Sequence, residues 1–399
     1  MFLMFIKRYV NGKHTSIYKS KFWITSVQVI LLLVYIVYHF ATPVLAYYDD
    51  GEIKFHVYTK MKERFDDNIT FSKNDKKVDV IITSSLGIDI NYESKKQSFT
   101  VNSIINQNVF LNNTTLTNTS QQAELSYLCY LSRYSTLILR DIYTHAHSPL
   151  TLEADFGKDI GRYSYQQNSF YFNYIKDVNK HLSLDGMYEN NYYYTGKHGS
   201  NNSLTHNIGL GLDYMINSAT TLKLRYMFEV ADFSIDGTSL TYTITAGLRR
   251  FITKQVYIDM AIGGSTVKPV YGKTTTNANM SVAVTDEISK TETVSLIYNK
   301  TTLPSVFSPD IFDSWKVTIK INKNLTDKAG INVAVFYGGG VFTKDATKDH
   351  QIGSNIKINY ALTRNITGFI GYTYKAICSN NDSREYIRNF VELGVKLVF

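Results

Sequence analysis

The stretch that most constrains this chain is its last, Ile387 to Phe399, reading IRNFVELGVKLVF. Counted back from the carboxylate, Phe399, Leu397, Val395, Leu393 and Val391 share one side of an extended chain. Lys396, Gly394, Glu392 and Arg388 share the other, with Val398 and Phe390 as exceptions. A period of two belongs to a strand, because successive side chains in a strand point to opposite faces. Chain ends are usually polar and frayed, so an apolar face that runs to a terminal Phe asks for a special surrounding. The closing strand of a transmembrane β-barrel supplies one: apolar side to lipid, polar side to the lumen, both edges paired. The alternative at this point is the last strand of a soluble β-sandwich.

The rest of the chain favours the barrel. From residue 47 onward, alternating runs of roughly 10 to 17 residues are separated by Asn/Asp/Gly/Ser/Lys clusters, the spacing of strands and turns. Ile208, Leu210, Leu212 and Tyr214 oppose Asn207, Gly209, Gly211 and Asp213. Leu222, Leu224, Tyr226 and Phe228 oppose Lys223, Arg225, Met227 and Glu229. Trp315, Val317, Ile319 and Ile321 oppose Lys316, Thr318, Lys320 and Asn322. The count is about 18 strands, with 16 as the alternative because the two ends of the pattern are the weakest. The predicted fold is all-β: a single transmembrane antiparallel β-barrel over residues 47–399.

Connections alternate in length. Asn217 to Ala219, Thr253-Lys254 and Thr363 to Asn365 are short; Lys60 to Lys77, Asn108 to Thr119, His145 to Gly161 and Lys300 to Ser314 are long. Tight periplasmic turns and longer outside loops sort this way in an outer-membrane barrel, and a sandwich has no reason to do so. Pro43, Pro149, Pro304 and Pro309 fall outside the expected strands and Pro269 at a strand end, as expected of a residue that cannot donate to a ladder. Tyr residues near strand ends, such as Tyr192, Tyr298 and Tyr360, suit the interfacial girdles of such a barrel.

The first 46 residues read as a secretory leader. Lys7, Arg8, Lys13, Lys19 and Lys21 form a basic region, Val27 to Tyr38 an apolar one, and Ala41 to Ala46 a small-residue cleavage site. Cleavage is expected after Ala46. The whole chain carries 42 Lys+Arg and 34 Asp+Glu. The leader holds five of those bases and no acid, so the chain beyond it is nearly balanced and nucleic acid is not an expected partner.

On the polar sides of the strands lie Asp213, Lys223, Arg225, Glu229, Arg249, Asp259, Lys316, Lys320, Lys357, Glu392 and Lys396. These are the candidate lumen-facing residues. Mixed charge on a wet wall implies weak ion preference, and a barrel of 16 to 18 strands encloses more space than side chains fill. Cys129 and Cys378 are expected as free thiols, buried or facing lipid. His145 and His147 share a face if extended, His147-Ser148 and His206 near Asp213 are catalytic candidates by residue type alone, and Gly338 to Gly340 lacks the strand-to-helix context of a phosphate loop. The last is expected to be a turn or bulge. No enzyme and no cofactor is expected.

Three segments resemble a known family: Arg64-Phe-Asp-Asp-Asn68, the run Asp79 to Gly87, and Ser379 to Phe399. Together they look like the putative β-barrel porin 2 family of bacterial outer-membrane proteins. The resemblance implies an outer-membrane barrel, in some cases linked with surface polysaccharide. The expected function is a porin-like channel for passive diffusion of small hydrophilic solutes, and the alternative is a structural or surface-interaction barrel with no open channel. The expected partners are outer-membrane lipid and the barrel assembly machinery, which by the habit of such barrels reads the terminal strand, with Phe399, Leu397, Val395, Leu393 and Val391 as its signal. The closing strand is expected to pair with the first near Ile53 to Met61.

Overall fold

The computed structural model describes residues 52–148, 161–196, 202–270, 272–289, 291–304, 310–344 and 346–399. The leader and its cleavage site lie outside the described residues. Eighteen strands follow one another: β1 (Glu52–Asp66), β2 (Asp79–Glu93), β3 (Gln97–Phe110), β4 (Asn118–Ser132), β5 (Ser135–Ala146), β6 (Tyr165–Asp177), β7 (Leu182–Thr195), β8 (Ser203–Asn217), β9 (Thr220–Phe233), β10 (Gly237–Phe251), β11 (Val256–Lys268), β12 (Thr275–Glu287), β13 (Thr293–Pro304), β14 (Ile311–Asn324), β15 (Ala329–Phe342), β16 (Lys348–Ala361), β17 (Ile366–Ser379) and β18 (Tyr386–Val398). Each pairs antiparallel with its sequence neighbours, and β18 closes on β1, so the sheet has no free edge. Closure is what lets a sheet stand in hydrocarbon, where an unpaired backbone group costs several kcal/mol.

The closing register runs from Tyr58↔Val398 to Asp66↔Phe390, and the Phe399 amide donates to the Val57 carbonyl. The partner segment is therefore 58–66, displaced along β1 from the expected 53–61. Residues Ile53 to His56 extend past the C-terminus and contribute no ladder to β18.

One face of nearly every strand is apolar and exposed. Leu393 is 60% exposed, Leu210 63% and Ile262 65%. A soluble protein hides such a surface; a band of this kind around a closed barrel is the surface lipid covers. This is a transmembrane β-barrel. Turns at the end carrying the C-terminus are short, as between β4 and β5 (133–134) and between β8 and β9 (218–219). The opposite end carries the longer connections, among them 67–78 and 147–164. The connections between β9 and β10 (234–236) and between β15 and β16 (343–347) are exceptions, no longer than the β12–β13 turn (288–292) at the other end.

Two local expectations change. Gly338 to Gly340 form neither a turn nor a bulge; they continue β15 in regular register with β14 and β16. The glycine at 340 is required by a neighbour, since a Cβ there would sit 2.2 Å from Phe312 Cζ. Pro304 lies inside β13 as its final residue, where a missing amide interrupts nothing beyond it. Cys129 and Cys378 are free, on β4 and β17.

Candidate channel lumen

The inner face of β1 carries the densest run of charge. With a period of two, Tyr58, Lys60, Lys62, Arg64 and Asp66 fall on the side opposite exposed Met61 and Phe65. Glu392 of β18 lies opposite Arg64 and takes both cations, Lys62 at 3.3 Å and Arg64 at 3.2 Å. Among the described residues Lys60 has no such acid within ion-pair distance. Its ammonium sits 4.8 Å from the centroid of Phe369 on β17, and Lys357 of β16 sits 4.5 Å from the same ring. Lys396 lies over Tyr58 at 3.8 Å, with Asp89 at 3.6 Å. Phe390, the apolar exception on the polar side of β18, has Arg64 at 4.4 Å and Arg388 at 4.9 Å over its ring. An aromatic face attracts cations through its quadrupole, so a Phe can line a wet cationic wall without being out of place.

At the outer end of this wall the connection 67–78 folds into the barrel. Arg388 grips the buried Asp66 with Nε at 3.0 and 3.1 Å, and its Nη2 donates to the same carboxylate. The next turn is built on Asn68, fully buried. Its amide donates to the carbonyls of Ser72 and Ile387, both at 2.8 Å, and its oxygen accepts from the Ser72 amide. Phe71 has φ +56°, a conformation few non-Gly residues hold without support. Support comes from packing: Phe71 joins Ile377 and Tyr386, and Ile69 joins Ile81 and Phe110, all inner-face residues. Arg162, from the β5–β6 connection, donates to the Ile69 carbonyl at 2.8 Å and lies over Phe110 at 4.8 Å. Burial, then the charges of Arg388 and Arg64, pulls its pKa down to about 9, which leaves it charged at neutral pH. Lys73 ties the same loop to the β17–β18 connection through Asp382 at 3.0 Å and Glu385 at 2.8 Å. The lumen is thereby narrowed from the β1–β18 side by a loop held at several points.

The wall made by β7 to β11, half a circumference away, has a different arrangement. Arg225 is 2.6 Å from Asp213 and 3.4 Å from Asp185. Asp259 takes Lys223 and Arg249, each at 2.6 Å. Every base named here has an acid, and Glu189 and Glu229 are acids without a base among the described residues.

Asp213, Lys223, Arg225, Glu229, Arg249 and Asp259 on β8 to β11, Lys316 and Lys320 on β14, and Lys357, Glu392 and Lys396 on β16 and β18 stand on the side of their strands opposite the exposed apolar residues. Leu393, Val391, Val395 and Phe399 are exposed on the outer face, and Leu397 shares their parity. His206 and Asp213 lie on opposite faces, seven positions apart on one strand, so they form no pair. His206 packs on Tyr188, whose hydroxyl is 2.9 Å from its Nδ1. His145 and His147 have ring centroids 5.3 Å apart, with His145 bonded to Ser164. No group of three metal-ligating side chains exists among the described residues. Lys60, Lys62, Arg64, Asp66 and Arg162 were missed as site residues. For the β1 residues a partial signal was present: Ile53, Phe55, Val57, Met61 and Phe65 keep one side apolar, interrupted by Thr59 and Glu63.

Residues 274–399 match the model of the putative beta-barrel porin 2 family. The matched region runs from β12 to the closing strand. It holds the terminal apolar face and Glu392, and the cationic stripe of β1 lies outside it. No curated protein matches the chain. Among solved structures, Acinetobacter baumannii OccAB4 aligns at 11% identity over 88% of this chain and 99% of its own, with a TM-score of 0.48. OccAB3 of the same organism gives 10%, 87%, 99% and 0.46. Pseudomonas aeruginosa OpdK, solved with vanillate, gives 12%, 87%, 98% and 0.46.

Proposed function

We propose that this protein is a porin-like channel for passive diffusion of small hydrophilic solutes, and that it favours anions. The observation that carries the reading is the imbalance between the two walls. Lys357, Lys375, Arg388, Lys396, Lys60, Lys62 and Arg64 share the inner face of β16, β17, β18 and β1 with three acids, Asp349, Glu392 and Asp66. On β7 to β11 three bases share the inner face with five acids, Asp185, Glu189, Asp213, Glu229 and Asp259. An anion drawn to the first wall is steered past the second, and an eighteen-strand circumference leaves room for water beside a folded loop. In this reading the inner-face charges act as solute contacts.

Purified barrel in a planar bilayer should give stepwise currents, and a KCl gradient should give a reversal potential of the sign expected for Cl⁻. Absence of steps would instead support a structural or surface-interaction barrel. The apolar side of β18 serves assembly in this reading, with Phe399 at the periplasmic rim read by the assembly machinery. Phe399→Asp should leave unfolded precursor in the periplasm, and Lys396→Gln should not. The leader ends at Ala46, so the N-terminus of the membrane-bound protein should be Tyr47.

A further inference from the structure

The unpaired acids of the β7–β9 wall carry a second inference. Glu189, Asn207 and Glu229 stand side by side on three neighbouring strands, in the registers Glu189↔Asn207 and Asn207↔Glu229. All three belong to the inner face. Among the described residues neither carboxylate has an ion pair, because the nearest inner-face base on these strands, Arg225, is engaged by Asp213 and Asp185. Their hydrogen bonds are few: Glu189 accepts from Asn191 at 2.9 Å and from Asn207 Nδ2 at 3.5 Å, and Glu229 accepts from Thr241 at 3.4 Å. The deciding group lies between them. Asn207 is 7% exposed, and its Oδ1 is buried with no hydrogen-bond partner. A buried amide oxygen without a donor has lost its water and gained nothing in return, and two carboxylates flanking it add repulsion. A small hard cation answers both.

We propose that Glu189, Asn207 and Glu229 form a divalent-cation site in the lumen wall, of a kind suited to Ca²⁺. Two carboxylates match a double positive charge, the amide oxygen supplies a neutral ligand, and water from the lumen completes the shell. Ca²⁺ accepts six to eight oxygens in flexible geometry and tolerates an open side, whereas Mg²⁺ demands a near-ideal octahedron. Occupancy would bridge β7, β8 and β9 and would remove two negative charges from the wall facing the cationic one.

Tb³⁺ luminescence excited through tyrosine tests the site in the full folded barrel in detergent, since Tyr171 lies in register with Glu189 on the same face. The parent should bind Tb³⁺ and release it to Ca²⁺. Glu189→Gln and Glu229→Gln should each weaken binding by about tenfold or more, as expected for loss of a carboxylate ligand. Asn207→Ala should weaken it by less, and Asp213→Asn, in the ion-paired row below, should leave it unchanged. Heat-modifiable migration shows which variants are folded, and if one Glu variant is not, the other two decide. Luminescence no higher than in the Glu189→Gln/Glu229→Gln double variant, or equal affinity in parent and single variants, would overturn the site.

Discussion

The two walls of the lumen use the same residue types and differ in how those residues are matched. On β7 to β11 the bases are engaged: Arg225 with Asp213 and Asp185, Lys223 and Arg249 with Asp259. On β16 to β1 the bases outnumber the acids, and part of their support comes from aromatic faces at Phe369, Phe390 and Tyr58. The first arrangement cancels every base on the wall and leaves Glu189 and Glu229 as its surplus acids. The second holds positive charge in place without cancelling it. A ring gives a cation somewhere to sit and leaves its field intact; a carboxylate does not.

The largest difference should appear in stability. Asp66 is fully buried and Arg388 is its hydrogen-bonded base, so Arg388→Met leaves the carboxylate with only Arg162, at 4.0 Å, as a cation and should cost about 3–5 kcal/mol. Arg249→Met on the other wall should cost about 1 kcal/mol or less, since Arg249 is half in solvent and Asp259 keeps Lys223. Urea midpoints of the heat-modifiable form measure both. Equal losses would show that the buried grip at the mouth is no different from an exposed pair.

Next in size is the contrast between faces within one strand. Leu224 is exposed on the outer side of β9 and Arg225 lies on the inner side. Leu224→Arg should cost about 2–4 kcal/mol at a midplane position. Arg225→Leu should fold with a loss of about 1 kcal/mol or less, because its acids are partly solvated. It should shift the channel toward cations. A comparable folding defect in both would mean that the two faces had been assigned wrongly.

The face assignments were legible because a period of two needs only the local sequence. So were the strand number and the end on which the short turns lie. The register of closure was not. It depends on how far the ladder is sheared around the ring, which no single strand records, and so the partner of β18 moved from 53–61 to 58–66. The mouth was illegible for a related reason: Asp66 and Arg388 are 322 positions apart, and Asn68 donates one of its two amide hydrogen bonds to the Ile387 carbonyl on β18. Arg64-Phe-Asp-Asp-Asn68 stood out as a family-like segment, yet nothing local said that it turns inward. The stripe Lys60, Lys62, Arg64 is the instructive case. A long connection was expected from Lys60 to Lys77, whereas the strand runs on to Asp66, and charge on an inner barrel face reads locally like charge in a loop.

Ion preference should respond to that stripe. Lys60→Gln, Lys62→Gln and Arg64→Gln together should lower the anion-to-cation permeability ratio by about tenfold, equivalent to about 1.4 kcal/mol. The neutral exchange Lys223→Gln with Asp259→Asn should leave the ratio nearly where it was, since it removes one charge of each sign. Reversal potentials in a salt gradient report both. A larger shift from the second pair would reverse the roles assigned to the two walls.

The smallest effect is expected where two cations share one ring. Lys60 and Lys357 lie 4.8 and 4.5 Å from the centroid of Phe369 and repel one another. Each cation–π contact contributes about 0.5–1 kcal/mol in a wet site. Removing one lysine loses its contact and also relieves the repulsion felt by the other. Lys60→Gln and Lys357→Gln should therefore each change stability by about 0.5 kcal/mol or less. The double variant should lose more than the two singles added together, because the second substitution gives up a contact with no repulsion left to relieve. A double-mutant cycle on urea unfolding reads this directly. If the losses simply added, the ring would be supporting the two cations independently, and the claim that this wall tolerates surplus charge by sharing aromatic faces would be lost.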